Sequence, residues 1–172
     1  MNYIIRPATI YDIDEIYEIE KLCFDEIDRF SKDYFYLFLL KKRFEIFYVI
    51  IVDLRNTPKG KICGFIVAFL NDIKNYEIAT VNVHPDWQRK GFGYSLMIKL
   101  EKTIEKAIPE LKKLDIINQK QSTFTIELTV YEKNDGAKRL YKKLGYKEIE
   151  KIPNYYQLGR NGIRMIKIIK IP

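Results

Sequence analysis

The sequence predicts an α/β fold, a single domain over residues 1–172 with a mixed central sheet of about seven strands flanked by about four helices. Period-two runs and three- or four-residue apolar spacings succeed one another in the order β-α-α-β-β-β-α-β-α-β-β, which implies helices on both faces of the sheet. Residues 79–107 read as a strand, a tight turn and a long helix, and the other elements are organised around that unit. A chain of 172 residues can bury one core, and no internal repeat, low-complexity tract or linker divides it.

Tyr3 to Arg6 forms the first strand. Thr9-x-x-Asp12 approximates a helix-start signal before Ile13, Ile16, Tyr17, Glu20, Cys23 and Phe24. Asp25 to Phe30 is an acidic connection, and Ser31 can cap a second helix from Lys32 to about Lys42, whose inward aromatics belong to the core. Glu45 to Leu54 and Lys61 to Asn71 are β-rich, and Pro58 and Gly60 between them argue for a hairpin over 55–60.

Tyr76 to His84 is the next strand, closed by Pro85, which cannot donate to a ladder. From Tyr94 the residues Leu96, Met97, Leu100, Ile104, Ala107 and Ile108 trace one face of an amphipathic helix, and Pro109 marks its end. The Lys-rich stretch from Leu111 to Ser122 reads as a solvated connection. Phe124 to Val130 alternates as a strand, Asn134 to Leu144 is a short helix stopped by Gly145, and Tyr146 to Ile152 and Ile163 to Ile171 complete the sheet.

Chemistry concentrates in Gln88-Arg89-Lys90-Gly91-Phe92-Gly93. Two glycines at a helix start let backbone N–H groups approach a ligand without an intervening Cβ, and first-turn amides together with the helix dipole suit a phosphate or pyrophosphate. Arg89 and Lys90 add positive charge of the same preference. Neither a Walker Lys-Ser/Thr nor the third glycine of a dinucleotide fingerprint follows.

Composition narrows the class further. The chain is 47% hydrophobic and 31% charged, and no apolar run approaches the roughly 20 residues of a membrane span. The N-terminus lacks a basic start followed by an apolar core, so a cytoplasmic location is expected. Cys23 and Cys63 lack metal-ligand spacing and read as reduced core residues, and no metal site is expected. A net charge of +7 favours a polyanionic partner, which nucleic acid, an acidic surface or cofactor phosphates would each satisfy.

The turn, after a strand ending Val-x-Pro, resembles the acetyl-CoA signature Gln/Arg-x-x-Gly-x-Gly/Ala of the GNAT (Gcn5-related) N-acetyltransferases. The resemblance extends to Ile5-Arg6-Pro7-Ala8-x-x-x-Asp12 and, more specifically, to Ile126 through Asn134-x-x-Ala137-x-x-Leu140-Tyr141-x-x-x-Gly145-Tyr146. Asn154-Tyr155-Tyr156-x-x-Gly159, with Met165 following, is similar to the branch that acetylates protein N-termini, the ribosomal-protein and archaeal Nα-acetyltransferases. Two departures from that branch stand out: Asn161-Gly162 stands where Asp or Glu and Ala are usual, and Thr129 stands where the bacterial ribosomal-protein enzymes carry a catalytic Glu.

The resemblance implies a GNAT fold, acetyl-CoA as donor and coenzyme A as product. It implies cofactor contacts along Val81, Asn82 and Val83, with the Val83 N–H on the acetyl carbonyl, and at Gln88, Arg89, Lys90, Gly91, Phe92, Gly93 and Tyr94 around the pyrophosphate. Asn134 would line the pantetheine arm, and Tyr141 would protonate the departing thiolate. For the general base the resemblance makes Glu77 the first choice, six residues before Val83 at the position of the catalytic glutamate of Gcn5-type members, and period-two alternation gives it the side of Val83; Glu127, acting through a water, is second, and His84 third. Tyr155 and Tyr156 are expected against a peptide acceptor, as are Phe24 and Glu26 of the acidic connection.

The leading expectation is therefore Nα-acetylation of protein or peptide N-termini by direct transfer. Acetylation of a small amine such as a polyamine or amino acid shares much of the motif set. A basic nucleic-acid- or ribosome-binding module, supported by Lys138, Arg139, Lys142 and Lys143 beside Tyr141, ranks below both. The acceptor sequence and any auxiliary subunit are not legible in the chain.

Overall fold

The computed structural model describes residues 2–40, 45–52, 60–71, 75–157 and 159–171. The elements are β1 (Tyr3–Pro7), a 3-10 turn (Ile10–Asp12), α1 (Ile13–Cys23), α2 (Lys32–Leu40), β2 (Ile46–Val52), β3 (Lys61–Leu70), β4 (Tyr76–Val83), a second 3-10 turn (Pro85–Trp87), α3 (Phe92–Lys113), β5 (Thr123–Tyr131), α4 (Asp135–Lys143), β6 (Lys147–Tyr156) and β7 (Arg160–Lys170). The strands hydrogen-bond in the order β1-β2-β3-β4-β5-β7-β6, a seven-stranded mixed sheet in which β4 and β5 run parallel. The expected α/β architecture is thus the observed one. Two compact units emerge, Met1–Ala68 with Ala79–Leu100, and Phe69–Ile78 with Glu101–Pro172.

In the first unit β1, β2 and β3 form an antiparallel meander. The Asp12 carboxylate accepts from Arg6 on β1 at 2.7 and 2.8 Å and from the Thr9 N–H at 2.7 Å, so the expected helix-start signal also ties α1 to the sheet. Those bonds hold the Asp12 carboxyl below its usual value against the opposing effect of burial. Ile13, Ile16 and Ile19 turn α1's apolar stripe inward, and Phe35 of α2 packs edge-on against Phe65 of β3 at 5.5 Å. Ser31 caps α2 through the Tyr34 N–H as expected; residues 41–44, where that helix was expected to end, and most of the 55–60 hairpin lie outside the described residues.

In the second unit β5 pairs with β7 and β7 with β6, all antiparallel. The Asn134 side chain accepts from the Ala137 N–H and caps α4, and Gly145, at φ 92°, ends it with the Tyr146 N–H donating to the Tyr141 carbonyl.

Three expectations are corrected. Pro109 does not end α3, which runs to Lys113. An internal proline costs about 3 kcal/mol. Ile108 and Leu111, at 3% and 0% exposure, return about 1.5–3 kcal/mol each by staying buried. The stretch after Leu111 is likewise not wholly solvated, since Ile117 is also buried. Third, β6 continues to Tyr156, so Tyr155 and Tyr156 sit on a strand beyond its expected end at Ile152.

Candidate active site

The β4-to-α3 turn is built as the motif anticipates. Arg89 and Gly91 adopt positive φ of 59° and 85°, and the first helical bond runs from the Ser95 N–H to the Gly91 carbonyl at 3.0 Å. The amides of Phe92 and Gly93 precede that ladder at the opening of the helix. Among the described residues a Cβ at Gly91 would meet nothing within 4 Å, so the turn is open at that position, as a phosphate cradle requires. These residues fit an acyl-CoA pyrophosphate.

Several side chains of the motif shape the turn instead of extending from it. Gln88 Nε2 donates to the Val83 carbonyl at 3.0 Å, closing the turn on the end of β4. The Lys90 ammonium donates to the Asp86 carbonyl at 2.8 Å and lies 4.4 Å from the Trp87 ring, so its charge sits over the turn itself. His84 Nδ1 accepts from the Asp86 N–H, the turn role that ranked it below the glutamates as a base.

Burial along β4 alternates without a break from Tyr76 to Val83. Glu77, Ala79, Val81 and Val83 share the half-buried side, while Thr80 and Asn82 point into the core. Asn82 can therefore offer a cofactor only its backbone, because its side chain donates to Glu20 Oε2 at 2.6 Å and Thr80 Oγ1 at 3.1 Å. The sequence places Glu20 on the face of the first helix without marking it for a site role. The available signal was an acidic residue on the buried stripe of α1, four residues after Ile16.

The two candidate bases are direct register partners, Glu77 opposite Glu127 in the parallel β4–β5 pair. Burial and the neighbouring Glu127 charge push the Glu77 carboxyl above its ordinary value, while Asn71 and Arg164 oppose the rise. Asn71 was also missed. Its Oδ1 accepts from the Asn75 N–H at 2.9 Å, which fixes the amide so that Nδ2 faces the acids and donates to Glu127 Oε1 at 2.6 Å.

Thr129 follows Glu127 on the same side of β5, and its carbonyl accepts from the Tyr156 hydroxyl at 3.1 Å. Tyr156 packs edge-on against Tyr155 at 5.0 Å and Tyr131 at 6.0 Å. The Asn161-Gly162 departure explains itself here. A Cβ on Gly162 would come within 2.6 Å of Thr129 Cγ2 and 2.9 Å of Tyr155 Cβ. Asn161 Nδ2 donates to Glu132 Oε1 at 2.9 Å and Oδ1 accepts from the Asn154 N–H at 3.1 Å, two bonds in opposite senses that a carboxylate could not make.

Tyr141 on α4 is 7% exposed, with its ring 6.0 Å from that of Tyr146. Burial raises its hydroxyl pKa, so the phenol keeps its proton throughout the neutral range. Asn134 uses its Oδ1 to cap the same helix. Phe24 is half-buried in the connection after α1, and Glu26 is exposed, 3.5 Å from Arg29. Among the described residues no cluster of His, Cys, Asp or Glu could hold a metal, both cysteines are free, and no helix is long and apolar enough to cross a membrane.

A glycine-opened helix start behind a strand of a seven-stranded mixed sheet defines a class, and the chain belongs to the acetyltransferase (GNAT) family, whose model matches residues 13–146. It is an N-acetyltransferase with acetyl-CoA as donor. Among its relatives, an N-alpha-acetyltransferase of Sulfurisphaera tokodaii is 27% identical over 175 residues, covering 95% of this chain and 92% of that protein. The fold is that of Ard1 from Thermoplasma volcanium (24% identity, TM-score 0.75, covering 98% and 99% of the two chains). It is also that of Arabidopsis thaliana NAA60 in complex with acetyl-CoA (16% identity, TM-score 0.77, covering 98% and 99%).

Proposed function

We propose that the enzyme acetylates the α-amino group of protein or peptide N-termini by direct transfer. The carrying observation is the Tyr155–Tyr156 pair on β6, locked by the Tyr156 bond to the Thr129 carbonyl of β5 and by the tight approach of Gly162 on the intervening β7. A rigid aromatic wall suits an extended peptide, offering contact area at little entropic cost. The archaeal relative named as an N-alpha-acetyltransferase supports the same reading.

Bound acetyl-CoA supplies the thioester carbonyl and the thiolate leaving group. Glu77 takes the proton that the acceptor nitrogen must lose, with Asn71 orienting the Glu77–Glu127 pair. Tyr141 gives its phenolic proton to the sulfur as the C–S bond breaks and the new amide C–N bond forms. The first-turn amides of α3, with Arg89, hold the diphosphate.

A matched pair of peptides tests the acceptor. One carries a free α-amine and no lysine; the other is blocked at its N-terminus and carries an internal lysine. Acetylation of the first with kcat/KM at least about a hundredfold above the second is expected for a site that distinguishes the two amines. Equal rates, or turnover of spermidine alone, would overturn the reading.

A further inference from the structure

We propose that Glu20 is a positioning residue whose buried carboxylate clamps the 24–30 connection, with its acceptor-contact residues Phe24 and Glu26, to β4 at Asn82. This deepens the acceptor reading above and rests on it.

Glu20 secures both ends of the connection. Its main-chain carbonyl accepts from the Phe24 N–H at 3.0 Å where α1 stops, and its Oε1 accepts from the Phe30 N–H at 2.9 Å where α2 approaches. Its Oε2 accepts from Asn82 Nδ2 on β4 at 2.6 Å. The Cys23 thiol, donating to the Val83 carbonyl at 3.6 Å, ties the same region to the next residue of that strand. Within the connection the Asp25 carbonyl accepts from the Asp28 and Arg29 N–H groups at 3.1 Å each, and the Phe30 ring stacks on Tyr34 at 4.6 Å. The connection is thereby indexed to β4, the strand whose Val83 end carries the cradle.

Packing alone does not explain a carboxylate here. Glu20 is 0% exposed, and a buried charge is costly unless each oxygen is compensated. Both oxygens are used, each by a donor from a different segment. A glutamine would turn its NH2 against one of those donors, and leucine would strand both. Burial pushes the Glu20 carboxyl up to about 7, against the Phe30 and Asn82 bonds and the Arg29 charge. The groups facing it are Arg29 of the connection, Cys23 of its own helix, and neutral Asn82 and Thr80 of β4. Protonation converts one acceptor into a donor, so the clamp is complete only in the ionised form, above about 7.

The test compares wild-type enzyme with Glu20→Gln by amide hydrogen exchange at Phe30, steady-state kinetics with a free-N-terminus peptide, and calorimetry with acetyl-CoA. Loss of one bond to a charged group predicts about tenfold faster exchange at Phe30 and about a tenfold higher peptide KM. It also predicts an acetyl-CoA affinity within about twofold of wild type, since the pyrophosphate amides lie outside the clamp. The KM difference should narrow below about pH 7, where wild-type Glu20 is itself protonated. Unchanged exchange at Phe30 overturns the clamp. Faster exchange with unchanged peptide KM, or a parallel loss of acetyl-CoA affinity, overturns the positioning role. If Glu20→Gln does not fold, Asn82→Ala removes the strand's donor, and unaltered Phe30 exchange in it has the same force. Failure of the N-terminal acceptor reading is separate: wild type would then turn over spermidine and no peptide, and the KM for spermidine would take the peptide's place.

Discussion

Glu77 carries a conflict that a solvated strand glutamate would not. Burial and the Glu127 charge raise its pKa, so folding favours its protonated form while base catalysis needs the ionised one. The stabilising contribution of that proton is full below the unfolded value and is lost as pH rises through the folded one. Glu77→Gln is therefore expected to raise the melting temperature at pH 8 while lowering kcat by about 10²–10⁴-fold and removing the ascending limb of the pH–rate profile. Calorimetry and a pH series on the same preparation check both halves; a variant with full activity would transfer the base to Glu127 or to solvent. Tyr141→Phe should lower kcat far more than it raises the KM for acetyl-CoA, because a leaving-group acid acts in the transition state. Single-turnover kinetics with an unchanged chemical step would return Tyr141 to packing. At this scale the sequence exposed what period two can reach: Glu77, Glu127 and Thr129 fall where alternation puts them. Glu20 and Asn71 were not legible as functional, because their meaning comes from partners 62 and 56 residues away.

The β4-to-α3 turn is the element proposed to hold the donor. Gly91→Asp places a negative charge where the open cradle faces a diphosphate, at a φ of 85° that strains any L side chain but that Asp visits more readily than most. A weakening of coenzyme A binding by about tenfold to a hundredfold is expected by titration calorimetry, with the circular-dichroism spectrum retained. Wild-type affinity would remove the phosphate role from the turn. On the β6–β7 hairpin, Gly162→Ala drives a Cβ into Thr129 and Tyr155. Overpacking of that kind costs about 1–3 kcal/mol, or a few degrees of melting temperature per kcal/mol, and should raise the peptide KM by displacing the tyrosines. Element existence was read well from periodicity. The ends of α3 and β6 were not, because Pro109 and the Tyr155–Tyr156 stretch obey burial and cross-strand pairing in preference to local propensity.

At the scale of the whole molecule, the order of strands and helices was legible because each element carries its own period. The sheet order, in which β7 lies between β5 and β6, was not predicted from the chain. The charge of +7 left nucleic acid, acidic partners and cofactor phosphates equally served. Acetyl transfer is established by that family; the acceptor is what the account adds. The most direct measurement is mass spectrometry of a peptide library varied at its first residues, incubated with enzyme and acetyl-CoA in competition with spermidine and free amino acids. The account predicts a mass gain of one acetyl group confined to α-amino termini, with a preference among first residues that changes when Tyr155 is replaced by alanine. Acetyl groups on spermidine or free amino acids, with the peptides left unmodified, would contradict it.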